Sequence, residues 1–268
     1  MNMRLVACLA LAGLVSWPAV AGEVQLWISY HYQGVDTYEA GRYRDAETLF
    51  TQAEGETCEE FRLAFTLDGK GMTQFALGQY SDAEAALEKA LCLRTEDCGE
   101  ESRFVPTTLN NLADLHYVAG DMTQVEPLYR RALEINEQDP YSVEVGRSLN
   151  GLALLANDAG EAVEAENLLR RAIRIHLMGG RSEHPYMATA LINLAALLTN
   201  QGRYDEAKPL LRRAEHIQGE VLGDSHPDVA VRLHAQAGLL AATGHIEEAH
   251  AAQNRAEEIE ARFSELNR

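Results

Sequence analysis

The sequence predicts an all-α solenoid of about six helix hairpins. Three observations carry this prediction. First, the chain repeats itself. Gly41, Gly78, Gly120, Gly160, Gly202 and Gly244 stand 37, 42, 40, 42 and 42 residues apart, and twelve residues beyond each one is an alanine: Ala53, Ala90, Ala132, Ala172, Ala214 and Ala256. Second, apolar residues recur at helical spacing on both sides of each glycine. Third, the composition favours helix over strand: 46% hydrophobic, rich in Ala, Leu and Glu, with 7% aromatic residues and 7 prolines in 268 residues.

The elements follow in chain order. Residues 1–21 differ from the rest: Arg4 is the only charge, Leu5 to Val20 is almost wholly apolar, and Ala19-Val20-Ala21 is a small-x-small site. That is the pattern of a secretory signal peptide, with cleavage expected after Ala21. The apolar run is short for a membrane span. Residues 22–260 form the repeats, and 261–268 a polar helical tail.

Each repeat divides at its glycine. In the third, Leu109, Leu112, Ala113 and Leu115 mark a helix upstream; Val125, Leu128, Tyr129, Ala132 and Leu133 mark one downstream. Glycine between them can take positive φ and end the first helix. The position five residues on is small in every copy: Ala46, Ala83, Val125, Ala165, Ala207 and Ala249. Two residues on it is large in most, as at Tyr43, Tyr80, Met122, Tyr204 and Ile246, with Ala162 the exception. Small residues are expected to let helices approach, and large ones to fill the space between them. One hairpin cannot bury its apolar face alone, so stacking is required. His184-Pro185 and His226-Pro227 are read as helix starts, because proline lacks the N–H that would be unbonded there.

The phrase Gly202-Arg203-Tyr204-Asp205-Glu206-Ala207, followed by Leu211 and Ala214, resembles the tetratricopeptide repeat. The period of about 42 residues is longer than the usual 34 or so and is similar to the repeats of kinesin light chain. So are Leu109-Asn110-Asn111-Leu112-Ala113, Leu149-Asn150-Gly151-Leu152-Ala153, Leu191-Ile192-Asn193-Leu194-Ala195 and Leu222-Gly223-Asp224-Ser225-His226-Pro227. The resemblance runs from about Trp27 to Glu260 and is strongest from Thr107 to His250. It implies a right-handed superhelical solenoid whose first helices line a concave groove and whose second helices face outward.

No catalytic signature stands out. There is no G-x-S-x-G, no phosphate-binding G-x-x-x-x-G-K-[ST] and no H-E-x-x-H. The expectation is a protein that is not an enzyme, with no cofactor and no metal site. Net charge is −18; without the leader, 22 basic residues face 41 acidic ones. That balance argues against nucleic acid and anionic membrane surfaces. No membrane insertion is expected once the leader is removed.

The paired arginines at 130–131, 170–171 and 212–213 fall on second helices. Glu126 and Glu166 precede Arg130 and Arg170 by four, the stabilising order for a helical ion pair. The groove positions, counted back from each glycine, are more informative. They offer Thr107, Asn110, Asn111, Asp114 and Tyr117 in copy three, Arg147, Asn150, Asn157 and Asp158 in copy four, Thr189, Asn193, Thr199 and Asn200 in copy five, and His234 in copy six. Asparagine is a poor helix former, so its recurrence needs a reason. Its amide donates and accepts and suits the backbone of an extended peptide; it equally suits hydrogen bonds between repeats. A clamp for carboxylates would need several cations, and only Arg147 is present.

Three cysteines follow the leader. Cys58 lies 20 residues before Gly78 and Cys98 lies 20 after it, so an antiparallel hairpin brings them to one end. The expectation is a Cys58–Cys98 bridge, contributing about 3–4 kcal/mol, with Cys92 left over. The function expected is that of an exported, periplasmic or secreted scaffold binding a peptide segment of a protein partner. The alternative is self-assembly as a homo-oligomeric structural subunit of an envelope complex.

Overall fold

The computed structural model describes residues 17–57, 59–136 and 139–267, with side chains of the first helix from Val24 onward. Most of the predicted leader lies outside these residues. Twelve helices are seen among them: α1 (Trp17–Glu39), α2 (Tyr43–Gly55), α3 (Glu60–Ala76), α4 (Tyr80–Cys98), α5 (Val105–Ala119), α6 (Met122–Ile135), α7 (Val143–Asp158), α8 (Ala162–Met178), α9 (Pro185–Asn200), α10 (Tyr204–Val221), α11 (Pro227–Ala242) and α12 (Ile246–Leu266). The chain is a helical repeat solenoid.

The six glycines named above end α1, α3, α5, α7, α9 and α11, each with φ between 72° and 83°. Each sits in the same doubly bonded turn. In the fifth, the Arg203 N–H donates to the Leu198 carbonyl at 2.9 Å and the Gly202 N–H to the Thr199 carbonyl at 3.0 Å. These bonds satisfy carbonyls that the helix leaves open, and a Cβ at the glycine would strain the left-handed backbone. The chain therefore reverses after two or three residues, and within each unit the next helix packs antiparallel on the one before: α2 on α1, α4 on α3, α8 on α7, α10 on α9 and α12 on α11.

The small positions are buried as the repeat predicts. All six alanines twelve residues past the glycines have no exposed surface. The large positions two residues past them depart from expectation: Tyr43 is buried, but Tyr80, Met122 and Ile246 are exposed. They occupy the first turn of the second helix, at the edge of the stack, where no neighbouring hairpin covers them. The predicted tail is the end of α12, which is helical through Leu266.

His184 and His226 act as helix starts in the way expected, with an added detail. Each imidazole Nδ1 accepts a backbone N–H two residues on, from Tyr186 and Asp228, both at 3.2 Å. The histidines are N-caps, and the prolines occupy the first helical position behind them.

Among the described residues two compact units emerge, divided between Val125 and Glu126. In the first, the Phe50 ring packs against Gly34 on α1 and Gly69 on α3; a Cβ at Gly69 would lie 2.5 Å from that ring. Trp27 donates to the Thr66 hydroxyl at 2.9 Å. In the second, Leu169, Leu191, Leu194, Leu198, Leu211 and Ile217 belong to one buried cluster. Its α6 contributes Tyr129, whose ring lies 2.2 Å from where a Cβ on Gly151 would stand. Phe50 and Tyr129 hold the same register, nine residues past their glycines; Gly69 and Gly151 both lie nine before theirs. Where the next repeat supplies glycine, the previous one supplies an aromatic ring.

Candidate partner-binding face

Within each unit first helices pack on first helices, α1 with α3 and α3 with α5 in one, α7 with α9 and α9 with α11 in the other. They form the inner layer of the stack. In the second unit this layer shows a stripe of partly or fully exposed positions: Asn150, Leu154 and Asn157 on α7, Thr189, Asn193, Ala196 and Asn200 on α9, then Val231, Ala235 and Gly238 on α11. Their spacing of three and four keeps them on one helix face.

Asn193 donates its amide to Asn150 Oδ1 at 3.0 Å, joining α7 and α9. The first unit repeats this at the same separation of 43 residues: Asn111 donates to Asp68 Oδ1 at 3.5 Å, joining α3 and α5. Thr108 adds a bond to Asp68 at 3.2 Å. The Arg94 guanidinium, almost completely buried over the Phe65 ring, pairs with the same carboxylate and donates to the Phe104 carbonyl. Of the two reasons weighed for recurring asparagine, contact between repeats applies to Asn111, Asn150 and Asn193.

The residues expected in the groove are thus dispersed. Asn110 is 0% and Asn111 4% exposed, so both lie inside the packed layer rather than on its surface. Asp114 and Tyr117 are half-buried on α5. Arg147 is nearly buried, its guanidinium 5.2 Å from the centre of the Tyr186 ring and 3.8 Å from Glu144. Asn157 and Asn200, in the last turns of α7 and α9, are exposed. His234 is engaged by α12, with Gln253 at 3.0 Å and Glu260 at 2.9 Å; its bond to Glu260 raises its pKa. What α7 and α9 present outward along this stripe is mostly uncharged: the amides of Asn157 and Asn200, the Thr189 hydroxyl, the Leu154 side chain and the Ala196 methyl group, with the exposed Asp158 at the end of α7. Such a surface can bond a peptide backbone and cover apolar side chains.

Sequence pattern alone does not mark Leu154, Ala196 or Tyr186 as surface positions. The 42-residue offset between Leu154 and Ala196 is visible in the sequence. Their exposure is not, because inner-face and core apolar residues share one periodicity.

The outer side has a different chemistry. Arg130 pairs with Glu126 at 2.7 Å and Arg170 with Glu166 at 2.8 Å, as their spacing predicts. Arg203 extends the pattern: it meets Glu166 at 2.6 Å and Glu206 at 2.7 Å, while Arg170 also reaches Glu206 at 3.2 Å. Four charges alternate in sign across two repeats. Bonding to Arg203 holds both carboxyls below the usual range.

Cys92 and Cys98 are exposed on α4. The bond to Glu96 pushes the Cys92 thiol up, and partial burial does the same for Cys98. Cys58 lies outside the described residues, and with it the predicted bridge to Cys98. No group of three or more metal-ligating side chains occurs among the described residues. No helix among them is long and apolar enough to cross a membrane.

A profile of the tetratricopeptide repeat matches residues 104–177 and 186–260. No curated protein matches the chain. Among solved structures, BtubC (BKLC) from P. vanneervenii is similar, with 18% identity, 89% of this chain and 92% of that one covered, and a TM-score of 0.58. A kinesin light chain-like repeat protein of Podosopora anserina has 22% identity over 77% and 98% of the two chains, with a TM-score of 0.52. The Rap conjugation gene regulator of plasmid pLS20, in complex with the Phr* peptide, has 14% identity over 90% and 75%, with a TM-score of 0.69.

Proposed function

Because the chain belongs to the tetratricopeptide repeat family, we propose that it is a non-catalytic scaffold that binds an extended peptide segment of a partner protein on the inner face of α7 and α9. The observation that carries this reading is the contrast between the two sides of the second unit. On the outer side, Arg170, Arg203, Glu166 and Glu206 are committed to each other. On the inner side, uncharged amides, a hydroxyl, Leu154 and Ala196 stay at least partly open in a chain of net charge −18. The peptide bound by the Rap regulator, a protein of similar fold, supports the same reading. The leader-like residues 1–21 support export, and a periplasmic or secreted place of action.

The test uses the chain from Gly22 onward. Leu154→Glu with Asn200→Glu places two carboxylates on the inner face, at positions outside the buried cluster. Capture of the partner from an extract of the source organism is expected to fall by about tenfold or more, the effect of roughly 1.4 kcal/mol, while far-UV circular dichroism is unchanged. Arg130→Glu, on the outer side, leaves capture intact. Equal capture by wild type and the inner-face variant overturns the assignment.

A further inference from the structure

The connection between α8 and α9 holds a histidine with no evident structural work. His176, in the last turn of α8, is 1% exposed, yet neither ring nitrogen has a hydrogen-bond partner. Its ring abuts the α7 backbone: a Cβ on Gly146 would stand 2.5 Å from Nε2. On another side it stacks on His184, the centres 6.3 Å apart and the planes within 4°. His184 is the N-cap of α9 and needs an unprotonated Nδ1 to accept the Tyr186 N–H. Its ring also lies 5.2 Å from Tyr186, which carries Arg147 on its face. Three elements therefore meet on two stacked neutral imidazoles.

We propose that this joint is a pH-sensitive switch, in which protonation of His176 and His184 opens the α8–α9 connection and releases Tyr186 from Arg147. The surroundings determine the direction. In the connection, Arg181 raises the cost of a second positive charge and is itself fixed to the Tyr141 carbonyl at 2.6 Å. On α7, Arg147 adds a further cation, and Glu144 is the carboxylate that favours a charged His184. On α9, Tyr186 is neutral. Nothing accepts a hydrogen bond from protonated His176, so a charge there must reach water by opening the joint. Protonated His184 loses the cap of α9 at the same time. The switch operates whether or not the inner face binds a peptide.

Burial lowers the His176 pKa from the ordinary 6.5 to about 4. By linkage, stability of the closed joint is complete above about 6.5 and declines as pH falls toward 4. At pH 5 the opening constant rises about 30-fold from His176 alone. Amide hydrogen exchange on the chain from Gly22 onward reads this directly, with intrinsic rates corrected for pH. Protection over residues 172–190 is expected to fall about 30-fold between pH 7.5 and 5, and α9–α10 amides near Leu198 much less. His176→Phe fills the same space, needs no hydrogen bonds and removes the proton site; it should suppress most of that loss. The same acid loss in His176→Phe, or an equal loss across the unit in wild type, overturns the proposal. Should the variant fail to fold, the wild-type imidazole decides. A His176 ring resonance that stays neutral at pH 5.5 is expected, and one titrating near 6.5 is contradictory.

Discussion

Asn193 of α9 donates to Asn150 of α7 at 3.0 Å, across the seam between two repeats and beside the partly open inner face. This bond reassigns the asparagines that mark the sequence. Each is a poor residue for a helix interior taken alone, but in register 43 residues apart the two satisfy each other. Asn193→Ala is expected to cost about 1 kcal/mol, the usual net worth of one such bond. A double-mutant cycle with Asn150→Ala in urea denaturation checks this; additive losses would show that the pair is not coupled.

Ring and glycine are matched at the seam between α6 and α7. Gly151→Ala sets a methyl group into the Tyr129 ring, and overpacking of this kind typically costs about 1–3 kcal/mol. Tyr129→Leu should recover part of the loss in the double variant. The thermal midpoint is the readout, and a Gly151→Ala protein as stable as wild type would refute the match.

The Arg203 network responds to acid. Glu166 and Glu206 are held below the usual carboxylate range by Arg203 and then Arg170. Folded values below unfolded ones mean that their contribution is present at neutral pH. It is lost as pH falls through the folded values. Arg203→Ala should move both carboxyl titrations upward, as read by carbon-detected NMR. Neutral-pH stability should change little in high salt, where exposed pairs are screened.

His31 gives the first unit its own acid response. It is buried against Trp27 with rings 4.9 Å apart, its Nδ1 lacks a partner, and burial lowers its pKa to about 4. Protonation is then favoured by unfolding, so stability declines from about pH 6.5 downward, by up to about 3 kcal/mol at the acid end. In a chain starting at Gly22, Trp27 is the single tryptophan. Its fluorescence should report unfolding at lower urea at pH 5 than at pH 7.5, and His31→Phe should narrow that difference.

The fold was legible because stacking imposes a strict code. A turn needs glycine in the left-handed region at six places, and the closest helix approaches need alanine twelve residues on. Both requirements leave marks in one sequence. The inner face was only partly legible. Leu154 and Ala196 obey the same periodicity as core leucines and alanines, and their exposure depends on how neighbouring repeats rotate. Asn110 and Asn111 were expected at a surface for the opposite reason: polarity suggests exposure, whereas here Asp68, Thr108 and Arg94 make a buried polar cluster that keeps Asn111 inside. The Arg203–Glu166 contact escaped because it joins residues 37 apart, beyond any local ion-pair rule.

Site-specific photocrosslinking tests the central claim most directly. A benzophenone side chain at position 200, on the inner face, is compared with one at position 212 on the outer side of α10, in the source organism's extract. A discrete adduct is expected from position 200, mapped to one peptide segment of one partner, and none from position 212. Adducts from position 212 alone would contradict peptide binding on the inner face.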